Sequence, residues 1–415
     1  VDTYVPLFKS GESVVTQYYK GWVEALGLLK MDFLGLRTLT VVTDAEKLVR
    51  QKVPDFDVYD IDIDDSETYE MLANGGTSCV FQCESAGIRS LMINMHPNCL
   101  EDIIAVIALY RPGPMDFIPG YLENRSHPDE IKYHTPELAP ILDVTYGTIV
   151  YQEQVMRIFQ DLAGYSLGAA DMVRRAVAKK QADVLEQQRK YFLYGSDGSD
   201  GSSPCDGCVK RGIKPEAANA IFDDMASFAS YAFNKSHSAA YAYVTYQTAW
   251  LRCHYPCEFM AAMLTSVLSN ADKLVANIAE CGNLGIDVLP PHVNASSEEF
   301  TVEENAVRFG LLAVKNVAQS YIELIIRERN ENGNYESFFT FCKRTYGQEF
   351  NRRSVEHLIK AGALDGLGTN RNQMLHMMDL VVESLESDKK ASVSGQLGFF
   401  DMSQELAKAS EPEIP

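Results

Sequence analysis

The sequence predicts a mainly α-helical fold with small α+β pieces, and three observations support this class. Eight stretches between residues 38 and 271 place apolar residues three and four positions apart, as one face of a helix does. Turn signals, notably Arg111-Pro112-Gly113-Pro114, separate these stretches. A second helical unit covers residues 273–385 and is interrupted only by short β-like runs.

Taken in order, the elements divide the chain into segments. Residues 1–37 combine a β-like run at 13–18 with an apolar stretch at 26–36. Helices are then predicted at residues 38–51, 66–72, 84–95, 100–108, 152–162, 168–192, 214–230 and 238–254. The second unit contains β-like runs at 300–302 and 306–309, and residues 387–415 are polar and acidic apart from one apolar island. The predicted segments are 1–37, 38–271, 272–385 and 386–415.

Composition and charge exclude several classes of protein. The 415 residues are 46% hydrophobic and 23% charged, which excludes a wholly disordered, collagenous or disulfide-stapled chain. A net charge of −20 argues against a nucleic-acid binder, but binding depends on local charge, and residues 174–190 are rich in Lys and Arg. The longest apolar run, 103–110, is too short to cross a bilayer. With no secretory signal and nine scattered Cys residues, we expect a reduced cytoplasmic protein without a membrane partner.

A low-complexity insert interrupts the helical pattern. Residues 195–203 are Gly, Ser and Asp only, which predicts a flexible surface loop. Cys205 and Cys208 follow it, and a zinc site would need a second pair of ligands. A thiol-bearing loop is favoured over a zinc site.

An acidic run at residues 60–65 resembles a metal-binding cluster. On an extended strand, Asp60, Asp62 and Asp64 would share one face, as the ligands of a metal-dependent hydrolase would. A calcium loop is excluded, because Asp65 stands where glycine is needed. The favoured interpretation is a solvated loop that leads into a helix capped by Ser66.

Asp32 is a single carboxylate in apolar surroundings. Such a group, when partly buried, must be paired or bound to a metal to offset its desolvation. A salt bridge with Lys30 or Arg37 and a role as a metal ligand are both open.

Two basic segments predict anion sites. Arg175 and Lys179 lie four residues apart, on one helical face that could hold a polyphosphate, although a solvated charged face is the common alternative. The segment Phe233-Asn234-Lys235-Ser236-His237 precedes a helix, and a helix N-terminus attracts anions. Two separate anion sites indicate a nucleotide or a nucleic-acid backbone.

A tandem helix-hairpin-helix module is predicted toward the C-terminus. Gly310-Leu311-Leu312-Ala313-Val314-Lys315 precedes a long helix and could offer backbone N–H groups and a lysine to phosphates without reading bases. Residues 358–364, which include Lys360, form a degenerate second copy. The alternative is an ordinary turn between helices.

The apolar island in the tail is Gln396-Leu397-Gly398-Phe399-Phe400. Apolar side chains concentrated in a polar tail are typical of a docking peptide. The alternative is a strand that packs against the preceding helices.

The sequence closely resembles the family C replicative DNA polymerases of the DnaE type, the α subunits of bacterial DNA polymerase III. The resemblance covers almost the whole chain. It is carried by Lys30-Met31-Asp32-Phe33-Leu34-Gly35-Leu36-Arg37-Thr38, Val80-Phe81-Gln82-Cys83-Glu84-Ser85, Leu109-Tyr110-Arg111-Pro112-Gly113-Pro114, Tyr151-Gln152-Glu153-Gln154, Arg174-Arg175-Ala176 with Lys179-Lys180, Phe233-Asn234-Lys235-Ser236-His237-Ser238-Ala239-Ala240-Tyr241 and Leu289-Pro290-Pro291.

The resemblance implies roles for individual residues. Asp32 matches the third catalytic aspartate of the family's palm, where three carboxylates hold two Mg²⁺ ions, and Lys30 beside it would contact phosphate. Residues of the fingers would bind the phosphates of the incoming deoxynucleoside triphosphate (dNTP) and the template end: Arg174, Arg175, Lys179, Lys180, Asn234, Lys235 and His237. Gly310, Lys315 and Lys360 would hold duplex DNA, and Gln396, Leu397, Phe399 and Phe400 would bind the sliding clamp.

The resemblance also implies an incomplete catalytic subunit. The four segments would be the end of the palm, the fingers, the helix-hairpin-helix and clamp-binding domain, and a tail. The chain would bind dNTP and primer–template DNA for template-directed, Mg²⁺-dependent nucleotidyl transfer, and would dock on the sliding clamp (β subunit) and other replisome subunits. Because the family's other two catalytic aspartates precede residue 1, we expect no polymerase activity from this chain alone. The alternative is a non-catalytic DNA- and clamp-binding adaptor.

Overall fold

The computed structural model describes residues 1–31, 35–178, 182–228, 231–347 and 349–393. The chain divides into two compact units, residues 1–40 and 41–415. Eighteen α-helices and five short strands occur among the described residues, so the mainly α fold class is confirmed.

The first unit contains a β-hairpin and one short helix. Strands β1 (Leu7–Ser10) and β2 (Ser13–Thr16) pair antiparallel, and Gly11 takes a φ of +61° in the turn between them, which glycine does without strain. Helix α1 spans Lys20–Ala25. The β-like run predicted at 13–18 is confirmed as far as Thr16. β1 was not predicted, because two apolar residues followed by two polar ones show no alternation.

The second unit is predominantly helical as far as residue 283. Its helices are α2 (Arg37–Arg50, which begins in the first unit), α3 (Ser66–Ala73), α4 (Ala86–Met95), α5 (Leu100–Leu109), α6 (Ile118–Ser126), α7 (Ala139–Leu142), α8 (Gln152–Ala163), α9 (Leu167–Ala178), α10 (Ala182–Tyr194), α11 (Pro215–Phe228), α12 (Lys235–His254), α13 (Pro256–Ser266) and α14 (Ala271–Asn283).

The periodicity predicted most of these helices to within three residues at each end. The stretch 168–192 corresponds to two helices, α9 and α10, on either side of residues 179–181, which lie outside the described residues. α6, α7 and α13 were missed. α6 contains Pro119 and Gly120, which are poor helix formers, and α7 and α13 each carry a proline in the first turn.

The C-terminal part combines a small sheet with four helices. Its elements are β3 (Val288–Leu289), β4 (Thr301–Glu303), β5 (Ala306–Arg308), α15 (Gln319–Asn332), α16 (Phe338–Thr345), α17 (Arg352–Ala361) and α18 (Arg371–Val393). β5 is central, parallel to β3 and antiparallel to β4, so the two predicted β-like runs are confirmed. One 3-10 turn, Leu311–Ala313, precedes α15.

Four clusters of buried apolar side chains form the cores of the second unit. The first lies among α8, α10 and α11, the second among α3, α4, α5 and α12, the third between α2 and α13, and the fourth among α15 to α18. Fully buried aromatic rings at their centres include Phe159, Tyr246, Phe259 and Phe341. α9 and α12, which carry predicted site residues, are therefore anchored in two different cores.

The insert at 195–203 is closed at its base. Ser196 and Cys205 exchange backbone hydrogen bonds at 3.0 and 2.9 Å. Cys208 is buried, its N–H donates to the Phe192 carbonyl at 2.8 Å, and burial raises the pKa of its thiol to about 12. No third metal-ligating side chain gathers with these two thiols among the described residues. This arrangement favours the thiol-bearing loop over the zinc site.

None of the described helices combines the length and the apolar character that crossing a membrane requires.

Candidate nucleotide and nucleic-acid interface

The N-terminus of α12 gathers the polar residues that the sequence predicted there. Asn234 is the N-cap, and its side-chain oxygen accepts from the His237 N–H at 2.8 Å. The Asn234 amide and the Lys235 N–H both donate to Glu153, at 3.0 Å each, from the first turn of α8. A helix N-terminus favours negative charge, and here Glu153 supplies it. The helix end where an anion site is predicted therefore holds the protein's own carboxylate.

The Lys235 side chain is held by a second carboxylate. Its Nζ donates to Glu101 at 3.0 Å and lies 5.3 Å from the centre of the Tyr151 ring. Tyr151 is buried and pairs through a β-bridge with Phe233, where the Gln152 N–H donates to the Phe233 carbonyl at 2.8 Å. This bridge fixes the start of α8 beside the start of α12.

A row of rings and one guanidinium extends from the same helix end. We call Arg111, Phe233, His237, Tyr241 and Phe81 the aromatic row. The Arg111 guanidinium lies 4.2 Å from the centre of the Phe233 ring, and successive ring centres are 5.4, 4.2 and 5.4 Å apart. Every member is at least partly exposed. Half-exposed rings with a cation above them are suited to stacking on nucleotide bases.

Sequence reasoning missed three members of the aromatic row as site residues: Arg111, Phe81 and Tyr241. Arg111 was noted as part of a turn signal and of a motif shared with the family, but no binding role was predicted for it. The contact with Phe233 joins positions 122 residues apart in the chain, which no local pattern reveals.

On α9, two arginines share one carboxylate. Arg174 Nη2 and Arg175 Nη2 each lie 2.7 Å from an oxygen of Asp171. Hydrogen bonds from Arg174, and then from Arg175, hold the pKa of Asp171 below its ordinary value. The side chain of Arg174 is 14% exposed and that of Arg175 is 69% exposed. Arg175 is therefore the more accessible of the two to a ligand. Lys179 and Lys180 lie outside the described residues.

α8 is the element common to both anion sites. Its flank packs against α9 within one core, and its first turn holds Glu153 against the N-terminus of α12. The aromatic row and Arg175 are thus linked through a single rigid helix, which sets the relative placement of the two predicted phosphate sites.

The predicted helix-hairpin-helix turn is formed by residues 310–318. A Cβ atom at Gly310 would lie 2.5 Å from the carbonyl carbon of Glu299, so only glycine fits there. Lys315 is exposed, and Asn316 takes a positive φ of +63°. α15 follows as predicted.

Two further basic residues gather at this turn. Arg353 Nη2 donates to Asn316 Oδ1 at 3.1 Å, and His357 Nε2 lies 3.1 Å from Asn316 Nδ2. Both residues belong to α17, which brings the two predicted copies together. We call Lys315, Arg353 and His357 the turn cluster. Lys360 lies on the same helix and is paired with Glu356. Sequence reasoning missed Arg353 and His357, although two successive arginines, 352 and 353, were a visible signal.

The acidic run at 60–65 forms an exposed series of turns and no strand, so its carboxylates do not share a strand face. The expectation that Ser66 caps the following helix was wrong. Asp65 is the N-cap and accepts from the Thr68 N–H at 2.9 Å. A carboxylate outcompetes a hydroxyl here because it also complements the helix dipole.

The remaining predicted residues fall elsewhere. Lys30 lies in the first unit. Other positions lie outside the described residues: Asp32, Gln396, Leu397, Phe399 and Phe400.

Comparison with known proteins identifies two matching families. Residues 38–199 match the finger domain of the bacterial DNA polymerase III alpha subunit, and residues 285–374 match a helix-hairpin-helix motif. Among curated proteins, the chain is similar to DNA polymerase III subunit alpha of Borreliella burgdorferi, 42% identical over 96% of this chain and 34% of that protein. The same protein of Escherichia coli K12 is 39% identical over 100% of this chain and 35% of its own length. That of Thermus aquaticus is 43% identical over 99% of this chain and 33% of its own length. The chain spans about a third of the length of these relatives.

Proposed function

The chain belongs to the family of bacterial DNA polymerase III α subunits, and on that premise we propose that it binds incoming dNTP and primer–template DNA for template-directed DNA synthesis. The observation that carries the proposal is the aromatic row, which extends from the N-terminus of α12. It places stacking surfaces beside an anion-binding helix end, the two features that a nucleotide needs.

The nucleotide site would work by exchange of anions. In the unliganded chain, Glu153 and Glu101 hold the helix end and the Lys235 ammonium. A triphosphate carries more charge than either carboxylate, so it would displace them and accept from the same groups. Asn234 and His237 would orient it, and Arg174 and Arg175 on α9 would extend the positive surface. Lys179 and Lys180, which follow in the sequence, would also contact phosphate.

Two Mg²⁺ ions would complete the reaction centre, with Asp32 as one ligand. Magnesium prefers an octahedral set of oxygen ligands, and no group of three carboxylates gathers among the residues that the structure describes. The remaining carboxylates would be the two further palm aspartates that the family resemblance implies. Bound there, the ions would activate the primer 3′-hydroxyl and neutralise the triphosphate, while Lys30 contacts phosphate. We expect the chain alone to be inactive, and primer extension above background would contradict this.

Duplex DNA would lie on the turn cluster. Arg353 and His357 both contact Asn316, which follows the exposed Lys315 in the Gly310 turn, and Lys360 lies three residues beyond His357 on α17. Contacts of this kind hold phosphates without reading base edges, as a replicative enzyme requires.

The tail would dock on the sliding clamp and thereby join the other replisome subunits. Gln396 would donate and accept hydrogen bonds, while Leu397, Phe399 and Phe400 would fill an apolar cleft. Calorimetry with the clamp should show binding that the Gln396→Ala, Phe399→Ala, Phe400→Ala variant loses.

A non-catalytic DNA- and clamp-binding adaptor is the second candidate. The observation that favours it is the occupation of the helix end by Glu153, since an adaptor needs no open nucleotide site. Binding of DNA without measurable binding of dNTP would support the adaptor.

The test of duplex binding is anisotropy of labelled primer–template DNA across a salt series. Replacing Lys315 or Arg353 with Ala should weaken binding similarly on unrelated sequences and reduce the salt slope by about 1 for each phosphate that the variant no longer neutralises. Lys273→Ala, an exposed lysine on α14, is the matched control and should leave the slope unchanged. An unchanged slope in the two variants would refute the placement of DNA on this turn.

A further inference from the structure

Outside the proposed nucleotide and duplex sites, one trio of metal-ligating side chains comes together among the described residues. Glu67, Cys253 and His254 place one ligand atom each within 4.8 Å of one another. Glu67 lies in the first turn of α3, whereas the other two residues end α12. We propose that these three residues form a zinc site that cross-links the end of α12 to the start of α3.

The ligand atoms are close to the spacing that zinc imposes. Tetrahedral zinc, with Zn–S of about 2.3 Å and Zn–N and Zn–O of about 2.0–2.2 Å, sets its ligand atoms roughly 3.5 Å apart. A contraction on the order of 1 Å, within the range of side-chain rotation, converts the observed arrangement into that geometry. Glu67 is exposed and has no ion pair among the described residues, so it is free to rotate inward.

His254 has the carboxylate partner that metal-bound imidazoles usually have. Its Nε2 lies 2.9 Å from the Asp65 carboxylate, which leaves Nδ1 with a lone pair when Nε2 carries the proton. Its ring also packs on Trp250, with ring centres 4.6 Å apart. A carboxylate that fixes the tautomer of a histidine is the usual outer partner in zinc sites.

A buried hydroxyl lies beside the proposed ligand Glu67. Thr68 follows Glu67 in α3, is fully buried, and its Oγ1 has no hydrogen-bond partner among the described residues. Metal binding would release the Cys253 thiol proton to solvent.

The donor set selects zinc over magnesium. One thiolate, one imidazole and one carboxylate suit a borderline metal, whereas magnesium requires oxygen ligands. The carbonyl end of α12 also favours a cation. Three protein ligands leave a fourth position for water. This site is chemically distinct from the proposed Mg²⁺ centre, and it does not depend on the proposed function.

The test uses the full 415-residue chain, titrated with Co²⁺ as a spectroscopic substitute and then with Zn²⁺, in a thiol-free reductant. We expect one Co²⁺ per chain with a sulfur-to-cobalt charge-transfer band that Zn²⁺ abolishes. Cys253→Ser should remove the band and weaken Zn²⁺ binding at least about 100-fold. Cys257, a partly buried cysteine four residues farther along the chain, provides the matched control: Cys257→Ser should keep the charge-transfer band and the Zn²⁺ affinity of the wild-type chain.

Two further variants keep the test decisive if Cys253→Ser disturbs folding. Glu67→Gln alters only an exposed side chain and should weaken Zn²⁺ binding while the circular dichroism spectrum stays unchanged. Asp65→Asn retains an N-cap for α3 but loses the charge beside His254, and should weaken binding about 10- to 100-fold with the sulfur band retained. No binding by the wild-type chain, or a band that survives in Cys253→Ser, would overturn the proposal.

Discussion

The carboxylate at the start of α12 offers the sharpest test of how the nucleotide site is built. Glu153→Gln removes the charge and keeps the size of the side chain. The wild-type group accepts three hydrogen bonds, at 3.0 Å from the Asn234 amide and at 3.2 and 3.0 Å from the Lys235 N–H. Glutamine keeps one carbonyl oxygen to accept them, so part of the interaction survives.

The magnitude follows from these contacts. A hydrogen bond to a charged group contributes about 1.5–3 kcal/mol, and a charge at a helix N-terminus about 0.3–1 kcal/mol. Because Glu153 is only half-buried and glutamine retains one acceptor, we expect the free energy of local opening at the start of α12 to fall by about 1–2 kcal/mol. That loss corresponds to a change of about 5- to 30-fold in the local opening equilibrium.

Hydrogen exchange at the Lys235 amide measures this directly, because that N–H donates to the substituted side chain. The Lys235 amide should exchange about 5- to 30-fold faster in Glu153→Gln than in the wild-type chain. The affinity for dNTP should rise in the same variant, since a competing anion has been removed. Glu216→Gln is the matched control, because Glu216 is also in the first turn of a helix, α11, but is exposed.

If hydrogen exchange at the Lys235 amide is unchanged in Glu153→Gln, or is accelerated equally in Glu216→Gln, then Glu153 does not stabilise the helix end. Faster exchange with unchanged or weaker dNTP binding would show that the carboxylate is structural, and that the nucleotide does not displace it.

Three other predictions concern the scaffold. Gly310→Ala places a Cβ atom 2.5 Å from the Glu299 carbonyl carbon and should lower the free energy of unfolding in urea by about 1–3 kcal/mol. Gly282→Ala, with open space around it, should be neutral or stabilising, and equal effects of the two substitutions would contradict the close approach at Gly310. Asp102→Asn removes the carboxylate that lies 2.8 Å from the mostly buried Arg125 and should lower the free energy of unfolding by about 3–5 kcal/mol. Asp161→Asn, in the exposed pair with Arg157, should lower it by about 0–1 kcal/mol, and similar losses in the two variants would refute the role of burial. Arg174 and Arg175 hold the pKa of Asp171 below its ordinary value of 3.8, so the stability that Asp171 contributes is complete above pH 3.8 and is lost as the pH falls through the folded-state pKa. The free energy of unfolding of Asp171→Asn should therefore fall less steeply than that of wild type at acid pH, and an identical fall would contradict the pairing.

The helices were largely predictable because their signal is local. The apolar spacing in α2 and α8 reflects burial on one face, which the periodicity of the sequence records faithfully. Where the pattern failed, tertiary contact was the reason. α6, with Pro119 and Gly120, is helical because Tyr121 is buried in a core, which outweighs a poor local propensity.

The candidate site was predictable only in part. Asn234 and His237 were found because a helix start after polar residues is a local feature. Their partner Glu153 is more than 80 residues earlier, and Arg111 and Phe81 are more distant still. A local pattern predicts a helix end suited to an anion, but it does not reveal that a carboxylate of the protein already occupies that end. Arg353 and His357 were missed for the same reason, since they reach the Gly310 turn from another helix.

Equilibrium dialysis of labelled dNTP against the 415-residue chain tests the central claim that the phosphate site lies between α9 and the start of α12. Arg175→Ala combined with His237→Ala should weaken binding at least about 10-fold, since each removes a charged or polar group that contributes about 1 kcal/mol or more. Arg157→Ala, an exposed arginine on α8, should change it by less than about 2-fold, as surface charges contribute little. Equal affinities for the double variant and the wild-type chain would contradict the account.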